Sequence, residues 1–475
     1  MTSELEPPHV GGRGRWMVLI AAFLGWMFDG VEMGLFPLVA RPALIELLAE
    51  RFEADVGWWM AIITAAFLVG AALGGVIFGW LGDRIGRVSA MIWSVLVYSI
   101  FAGLCGFAQE VWQLAVLRFI AAMGMGGEWA LGVALVMEVW PSNRRPILAG
   151  LIGAAANVGF LGVAFVGVAL ASVIDSLHSL LSGMGMPQSW VNALLANSGW
   201  RLLLFLGAAP ALLTFFIRLF VPESHRWKAA AERAPANRVA DIFAAGLGRR
   251  TVLGALLAAL PLLATWGSVQ WIPSWTDKLV KDAHAQARQA AVDRAVEFNP
   301  DVNPGDVPDD ELTSELRRTI PIARPWSQVW SGFGAVFGCI LAALFAQWTS
   351  RRWAYLWLCV VALATCQYLF RGSFTYGTNY LLWVFIVGGA SAAFYGWLPL
   401  YLPELFPTRI RATAQGFAFN AGRVLAAGGT FIAGWLLKLF QEDYARMGAW
   451  ITLIYIGGMV LILFCPETKN RPLPE

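Results

Sequence analysis

The stretch MEVWPSNRRPILAG, residues 137–150, returns in altered form as PELFPTRIRATAQG, residues 403–416. Both copies read ExxPxxxR followed by a glycine, and their matching residues keep one constant spacing, which aligns Glu138 with Glu404, Pro141 with Pro407, Arg145 with Arg411 and Gly150 with Gly416. Each copy lies where a long apolar run meets a short basic loop, so the repeated unit is half of a membrane protein. Paired halves around a central site are typical of secondary transporters, which makes transport the leading interpretation.

The composition of the 475-residue chain indicates a bilayer environment. Hydrophobic residues make up 58% of it and charged residues only 14%, with a mean hydropathy of +0.62. A water-soluble core cannot bury so much apolar surface. Crossing about 30 Å of hydrocarbon takes about 20 apolar residues in a helix. The sequence offers twelve such runs, at 15–40, 57–80, 89–108, 111–139, 146–172, 200–221, 250–276, 326–347, 354–371, 376–402, 411–438 and 448–465. The predicted fold is therefore all-α, with the transmembrane helices in two pseudo-symmetric six-helix bundles.

The net charge of +3 is too small to indicate a nucleic-acid partner, and it arises from differences between loops. Arginine and lysine clusters fall on alternate connections, which by the positive-inside rule places both termini in the cytoplasm. The predicted location is the plasma membrane, which in a prokaryote is the inner membrane. The five cysteines lack the spacing of a metal site or a disulfide, so they are interpreted as packing residues and no metal is predicted. The sequence has no phosphate-binding loop, which argues against ATP-driven pumping and predicts no cofactor.

Two polar segments divide the predicted spans. Residues 222–249 are basic and helix-prone, and they separate an N-terminal bundle, residues 1–221, from a C-terminal bundle, residues 250–475. The charge alternation places the second segment, residues 277–325, outside the cytoplasm as a small exposed subdomain or lid. Acidic residues between 301 and 311 lack the glycine and glutamate spacing of an EF-hand, so a solvated loop is preferred over a calcium site.

The sequence GWLGDRIGR, residues 79–87, follows the second predicted span and resembles the signature loop between helices 2 and 3 of the major facilitator superfamily. The resemblance implies a gate at the cytoplasmic face. Its members would be Gly79, Asp83, Arg84, Gly86 and Arg87 of this loop with Glu138, Arg145, Glu404 and Arg411 of the repeat. Glycines allow helix ends to approach closely, while the charged residues form a latch. The corresponding loop of the second half, AQWTSRRW, has lost the glycine and the aspartate, so an asymmetric gate is expected.

Three further segments resemble the metabolite:proton symporters for aromatic acids, sialate and small carboxylates: FDGVE at 28–32, RFIAAMGMGGEWALGVALVMEVWP at 118–141 and FNAGRVLAAGG at 419–429. The DGVE motif is also similar to that of synaptic-vesicle-type relatives. PESHRW and PETKNR resemble segments of sugar porters. Aromatic-acid porters usually carry DGxD, and this chain departs from that pattern because Glu32 stands at the position of the second aspartate. Sugar porters place paired glutamines in helix 7, where only Gln270 is present, and this argues against a hexose.

Ionisable side chains inside the predicted spans are costly unless they face a partner or water, so they indicate a functional site. Asp29 and Glu32 are three residues apart on one helical face, where desolvation and mutual repulsion favour the protonated form of at least one carboxyl. Such a group can carry a proton, and Arg118 lies at the same predicted depth. The alternative is that one acid merely pairs with Arg118 to hold helices 1 and 4 together. Glu128 lies nearer the cytoplasm, where it either relays a proton inward or pairs with a neighbouring Ser, Trp or backbone group.

Arg423 lies near the predicted midplane of helix 11, and a buried guanidinium there needs an anion. The substrate's own carboxylate is the preferred partner, through a bidentate pair. The alternative is a salt bridge to Asp29 or Glu32, and competition between substrate and bridge would couple the two. Further candidates for substrate binding are Asn157, Gln270, Asn420, Trp129 and Tyr395, for which contacts between helices are the alternative.

These observations predict a monomeric importer, not an enzyme, that moves a small organic anion together with protons across the lipid bilayer by alternating access. The anion would be a carboxylate, an aromatic acid or a sugar acid. Two alternatives stay open. One is a proton-coupled porter for sugars or polyols, or an exporter; the other is a membrane receptor or scaffold that has lost transport and binds a partner through residues 277–325.

Overall fold

The computed structural model describes residues 11–48, 56–233, 239–244, 246–300 and 302–474. The helices of this part of the chain are α1 Gly12–Leu48, α2 Val56–Ile85, α3 Arg87–Leu104, α4 Val111–Val139, α5 Arg145–Gly183, α6 Gln188–Leu206, α7 Ala211–Phe220, α8 His225–Arg233, α9 Gly248–Gly267, α10 Ile272–Phe298, α11 Glu311–Trp348, α12 Arg351–Arg371, α13 Thr378–Leu405, α14 Arg411–Leu439, α15 Tyr444–Ile451 and α16 Ile454–Leu461. Eleven stretches of the described residues are long and apolar enough to cross a membrane. Helix α14 is also long enough to cross a membrane, but it is more polar because it carries Arg411, Arg423 and Lys438. With α14 the count reaches the twelve spans predicted from the sequence.

Three predicted spans are broken helices. Span 6 consists of α6 and α7, which are separated by a turn that ends at Pro210, a residue with no N–H to continue the helical ladder. Span 7 consists of α9 and α10; at the break the Ser268 hydroxyl donates to the Ala264 carbonyl at 2.6 Å and competes with the backbone ladder. Span 12 consists of α15 and α16. Others are longer than predicted, since α1 continues to Leu48 and α5 to Gly183.

The polar insert is a helical hairpin formed by the end of α10 and the beginning of α11. Helix α10 extends through an Ala-rich charged sequence of good helix formers to Phe298. Asp310 begins α11 as its N-cap, because its carboxylate accepts from the Thr313 amide at 2.9 Å and the Thr313 hydroxyl at 2.6 Å. These hydrogen bonds, together with Arg294 at 2.8 Å, hold the pKa of Asp310 below its ordinary value. Arg288 closes the hairpin by donating to the Val307 and Pro304 carbonyls.

The two halves meet where α2 packs on α14 and where α5 packs on α11 and α13. Glycines allow this approach: a β-carbon at Gly416 would collide with the Gly75 carbonyl oxygen, and one at Gly153 would collide with that of Tyr395. Small residues at such contacts bring helix backbones together in a membrane. The interface between the halves therefore depends on positions that can carry no side chain.

The bundle has two ends that differ in chemistry. The end that holds Arg15, Arg87 and Pro474 is called the terminal face here, because both described chain ends lie there. Trp140 Nε1 donates to the Arg15 carbonyl at 3.1 Å, and Arg411 donates to the Pro474 carbonyl at 2.8 Å. The opposite end, from which the hairpin projects, is called the insert face.

Candidate functional site

A cavity of about 530 Å³ lies between the two halves and extends toward the insert face. Its polar lining consists of Asn157, Thr265, Gln270, Gln328, Ser331, Ser391 and Tyr395, and its aromatic walls of Trp26, Phe67, Phe160, Trp266 and Phe419. Three arginines also line it, Arg41 and Arg324 toward the insert face and Arg423 in the interior, and its lining residues include no aspartate or glutamate. Its size is typical of a small-molecule site. The electrostatics of the lining favour an anion.

Four residues that the sequence predicts to bind substrate line this cavity, and two do not. Arg423, Asn157, Gln270 and Tyr395 belong to its lining. Trp129 is instead 2% exposed, and its ring stacks on that of Phe419 at 4.0 Å between centroids. The ring that reaches the cavity is Trp26, which stands edge-on to Phe419 at 6.1 Å.

Asn420 lies outside the cavity lining and is fully buried. Its amide donates to the carbonyls of Gly126 in α4, at 3.1 Å, and Gly416, at 2.9 Å. Its Oδ1 accepts from Arg423 Nη1 at 3.0 Å. Asn420 therefore forms hydrogen bonds to Arg423 and, across the interface between the halves, to α4; its predicted contact with substrate stays a prediction.

Arg423 has no ion-pair partner within the described residues, although it is only 4% exposed. Its guanidinium carbon lies 5.2 Å from the centre of the Phe419 ring and 6.0 Å from that of Trp26. Asp29 is the carboxylate that acts on it most strongly. A buried guanidinium that has aromatic neighbours and no ion-pair partner among the described residues can chemically accept an anion.

Asp29 and Glu128 form a buried pair of carboxyls, called the carboxyl pair below. Both side chains are within 1% of complete burial, and the two carboxyls act on each other electrostatically. None of their four oxygens receives a hydrogen bond from a donor in the described part of the chain. Two neighbouring buried carboxyls are unfavourable when both are ionised. Gly25 makes room for the pair, because a β-carbon there would collide with Glu128 Oε1.

Glu32 and Arg118 form a second buried group, an ion pair between α1 and α4. The Arg118 guanidinium lies between the rings of Phe36, at 5.0 Å, and Phe67, at 4.9 Å. The sequence predicts that Asp29 and Glu32 share one site, since they are on one helical face. The structure gives them different partners on α4, Arg118 for Glu32 and Glu128 for Asp29, although Glu32 still acts electrostatically on Asp29.

Arg87 is the centre of the gate at the terminal face. It donates to Asp83 at 2.6 Å, to Glu138 at 3.1 Å and, across the interface between the halves, to the Thr408 carbonyl at 2.8 Å. Glu138 also accepts from Arg411 of the other half at 2.8 Å. All four charged side chains are buried. The latch that the resemblance implies is closed in this structure.

Asp83 closes the same latch by capping α14. Its carboxylate accepts from the amide of Thr413 at 2.8 Å and from that of Ala412 at 3.3 Å, and an anion there is favoured by the free N–H groups at the helix N-terminus. A β-carbon at Gly79 would lie 2.6 Å from the Ala412 carbonyl oxygen. Arg84 takes no part in these contacts: it is exposed and lies over the Trp80 ring at 4.5 Å.

The second half lacks the matching contacts, as the sequence predicts from its altered loop. Glu404 accepts from Arg351 at 2.8 Å and from the Thr468 hydroxyl at 2.5 Å, both in its own half. Gln347, four residues before Arg351 as Asp83 is before Arg87, is exposed. Arg145, the counterpart of Arg411, is 6% exposed and forms no ion pair with the described residues. The gate is therefore held mainly by one of its two symmetric arms.

Two glutamates cap helices at the terminal face. The sequence analysis did not predict this role. Glu223 accepts from the amides of Arg87 at 3.1 Å and Val88 at 3.0 Å, and Glu467 accepts from those of Arg351 at 3.0 Å and Arg352 at 3.2 Å. The repeated PE that opens PESHRW and PETKNR is the signal that could have revealed them. Gly86, at φ 104°, is the residue that lets Glu223 reach α3, since a β-carbon there would collide with its carboxylate.

The environments of the two capping glutamates differ. Burial raises the pKa of Glu223, and the N–H groups of Ser224 and Val88 offset this only in part. Partial burial also opposes ionisation of Glu467, but the N–H groups of Lys469, Arg352 and Arg351 prevail and hold its pKa below the ordinary value. The cap of α12 is therefore the more firmly ionised.

Comparison with known proteins agrees with this architecture. The family described as "Sugar (and other) transporter" matches residues 18–241 and 326–475. A probable 4-methylmuconolactone transporter of Cupriavidus pinatubonensis is 29% identical over 452 residues, which cover 95% of this chain and 90% of that protein. A cis,cis-muconate transport protein of Acinetobacter baylyi is 25% identical over 486 residues, with 99% of each chain covered.

Solved structures with the same fold include the proton:xylose symporter XylE, with a TM-score of 0.65 and 16% identity over 97% of this chain and 98% of that one. The human organic anion transporter MFSD10 has a TM-score of 0.66 and 15% identity, covering 94% of this chain and 99% of that one. The chain belongs to the sugar (and other) transporter family, within the major facilitator superfamily of membrane transporters.

Proposed function

We propose that this transporter imports a small organic anion by proton symport, with Arg423 as the substrate's charge partner and the carboxyl pair as the proton carrier. The observation that carries the proposal is the position of Arg423. It lines a cavity that contains no carboxylate, and it is also the cation that acts on Asp29 behind the cavity wall. One guanidinium thus serves both the substrate and the proton.

The coupling follows from charge balance. With one proton on the carboxyl pair, the remaining negative charge is offset by Arg423, while Glu32 and Arg118 offset each other. When a substrate carboxylate pairs with Arg423, the carboxyl pair loses that compensation. A buried carboxylate without a counter-charge takes up a proton. Substrate binding therefore favours the binding of a second proton to the pair.

The proposed import direction is supported by which end is closed. The contacts at Arg87, Asp83 and Glu138 close the terminal face, and the cavity reaches toward the insert face through Arg41 and Arg324. Basic loops are retained in the cytoplasm, so the terminal face is the cytoplasmic one, with both termini inside and the protein in the plasma membrane. The structure then corresponds to an outward-facing state, ready to receive substrate.

The substrate class is supported by the cavity walls and by the relatives. Trp26, Trp266 and Phe419 offer flat apolar surfaces to an unsaturated or aromatic body, while Asn157 and Gln270 offer hydrogen bonds to polar groups. Similar proteins are named as transporters of muconate, methylmuconolactone and organic anions. A small carboxylate or aromatic acid fits this combination better than a neutral sugar.

The test is uptake into proteoliposomes of a labelled panel that contains cis,cis-muconate, sialate, an aromatic acid and xylose, under an imposed proton gradient. We expect accumulation of an acid by the unmodified protein. Asp29→Asn should lose proton-driven accumulation but keep counterflow, and Arg423→Lys should weaken uptake because lysine cannot form the bidentate pair. Arg371→Lys, at an exposed position away from the cavity, is the matched control.

Three outcomes would contradict the proposal. Full proton-driven accumulation by Asp29→Asn would overturn the assignment of the proton carrier. Uptake of xylose with unchanged transport by Arg423→Lys would indicate a porter for neutral sugars. No transport of any acid, with loss of a cellular role when the hairpin is shortened, would indicate a receptor or scaffold.

A further inference from the structure

Tyr98 in α3 is a buried polar residue that the proposed mechanism leaves unused. The side chain is fully buried, and its hydroxyl has no hydrogen-bond partner among the described residues. The adjacent Ser99 hydroxyl lies nearby, yet neither hydroxyl has a partner with hydrogen-bond geometry in the described part of the chain. A buried hydroxyl without a partner is unfavourable, and each such group in a native protein calls for an explanation.

The contact between α3 and α4 determines where Tyr98 lies. Ser94 donates its hydroxyl to the Gly124 carbonyl at 2.6 Å. A β-carbon at Gly124 would lie 2.8 Å from the Tyr98 β-carbon and 2.8 Å from the Ser94 carbonyl oxygen, so the two helices touch at this level. Glu128 follows Gly124 by one helical turn and lies on the same face of α4. The contact between α3 and α4 thus places Tyr98 beside the face of α4 that carries Glu128.

The charges that act on the Tyr98 hydroxyl are all carboxyls of this region, Glu128 most strongly, then Asp29 and Glu32. The groups that face the carboxyl pair come from four helices: Glu32 of α1 with its partner Arg118 of α4, Arg423 of α14, and Tyr98 of α3. Arg423 contributes charge at a distance. Among the residues that the structure describes, the oxygens of the pair lack a hydrogen-bond donor, and the Tyr98 hydroxyl is a donor that lacks an acceptor.

We propose that Tyr98 is a positioning residue of the proton site, whose hydroxyl donates a hydrogen bond to the carboxyl pair through one ordered water. The inference rests on the proposed function, since it assigns the pair the role of proton carrier. A donor stabilises the ionised oxygen that remains when the pair holds one proton. It therefore favours proton release once the gate opens.

The test compares Tyr98→Phe with Tyr455→Phe. Each substitution removes only a hydroxyl, and Tyr455 in α16 is a matched control because it is also fully buried and without a partner. Tyr455 lies near Cys366, Cys359 and two tyrosines, all in the C-terminal half of the chain. The readout is infrared difference spectroscopy of the purified transporter, which follows the C=O stretch of a protonated buried carboxyl during a pH titration. Asp29→Asn and Glu128→Gln identify the band by abolishing or altering it.

We expect the band of Tyr98→Phe to persist to higher pH, with its midpoint raised by about one unit, or about 1.4 kcal/mol. Tyr455→Phe should keep the midpoint of the unmodified protein. An unchanged midpoint in Tyr98→Phe, an equal shift in both variants, or the absence of a titrating carboxyl band would each overturn the inference. Uptake is measured in parallel: a shifted band without acid transport would refute the proposed function alone, and transport without a shift would refute the role of Tyr98 alone.

Discussion

Replacing Glu138 by glutamine should open the gate at the terminal face. Glu138 accepts from Arg411 across the interface at 2.8 Å and from Arg87 of its own half at 3.1 Å, and only the first contact is lost when the halves separate. A hydrogen bond between charged groups contributes about 1.5–3 kcal/mol. Since 1.36 kcal/mol is a factor of ten, the ratio of closed to open gate should fall roughly 10- to 100-fold.

The symmetric position supplies the control for this prediction. Glu404→Gln removes the same charge, but within the described residues Glu404 bonds only to Arg351 and Thr468 of its own half. The assay is maleimide labelling of Ser331→Cys in the cavity, applied from the insert face. All five native cysteines are buried, so they react slowly. Labelling should slow in Glu138→Gln and not in Glu404→Gln, and equal rates in the two variants would refute the idea that one arm holds the gate.

Three further predictions concern the proton site, the substrate arginine and a helix cap. Gly25→Ala places a β-carbon against Glu128 Oε1, so proton-driven uptake should fall more than tenfold while counterflow persists; equal loss of both would indicate misfolding instead. Asn420→Asp gives Arg423 an internal carboxylate in place of the amide oxygen now 3.0 Å away, and KM for the acid should rise about tenfold or more, whereas an unchanged KM would show that substrate does not bind Arg423. Glu467→Ala removes the acceptor at the start of α12 and should lower stability by about 1 kcal/mol in thermal unfolding at neutral pH. Because the pKa of Glu467 is lowered in the folded state, this contribution is present above the ordinary carboxyl pKa and disappears as pH falls through the folded value, so a difference that grew in acid would contradict it.

The positions of the charged cluster at the terminal face and of the arginine in the cavity could be predicted from the sequence, because both depend on position along the chain. The ExxPxxxR repeat fixes where Glu138 and Arg411 lie relative to the ends of their spans, and counting residues along α14 places Arg423 at the depth of the cavity. The loop AQWTSRRW lacks the glycine and the aspartate of its counterpart, which predicted an unequal gate. In the structure Gln347 is exposed and Arg145 forms no ion pair with the described residues.

Pairings between helices were harder to predict, because the rotation of one helix against its neighbour depends on packing. Asp29 and Glu32 share a helical face, yet α4 gives them different partners: Glu128 fits beside Gly25, and Arg118 lies between two phenylalanines. Trp129 and Trp26 could not be ranked from sequence either, because Phe419 of the other half covers one ring and leaves the other in the cavity wall.

The placement of Arg423 between substrate and carboxyl pair restricts which forms of the transporter can close over the cavity. Without substrate, Arg423 and a singly protonated pair are together neutral. With a bound carboxylate and a second proton, they are neutral again. With the carboxylate but no second proton, closure would bury one uncompensated negative charge, which costs several kcal/mol in a low-dielectric interior. Under the proposed mechanism this penalty alone excludes movement of the anion without its proton, and no direct contact between substrate and carboxyl pair is needed.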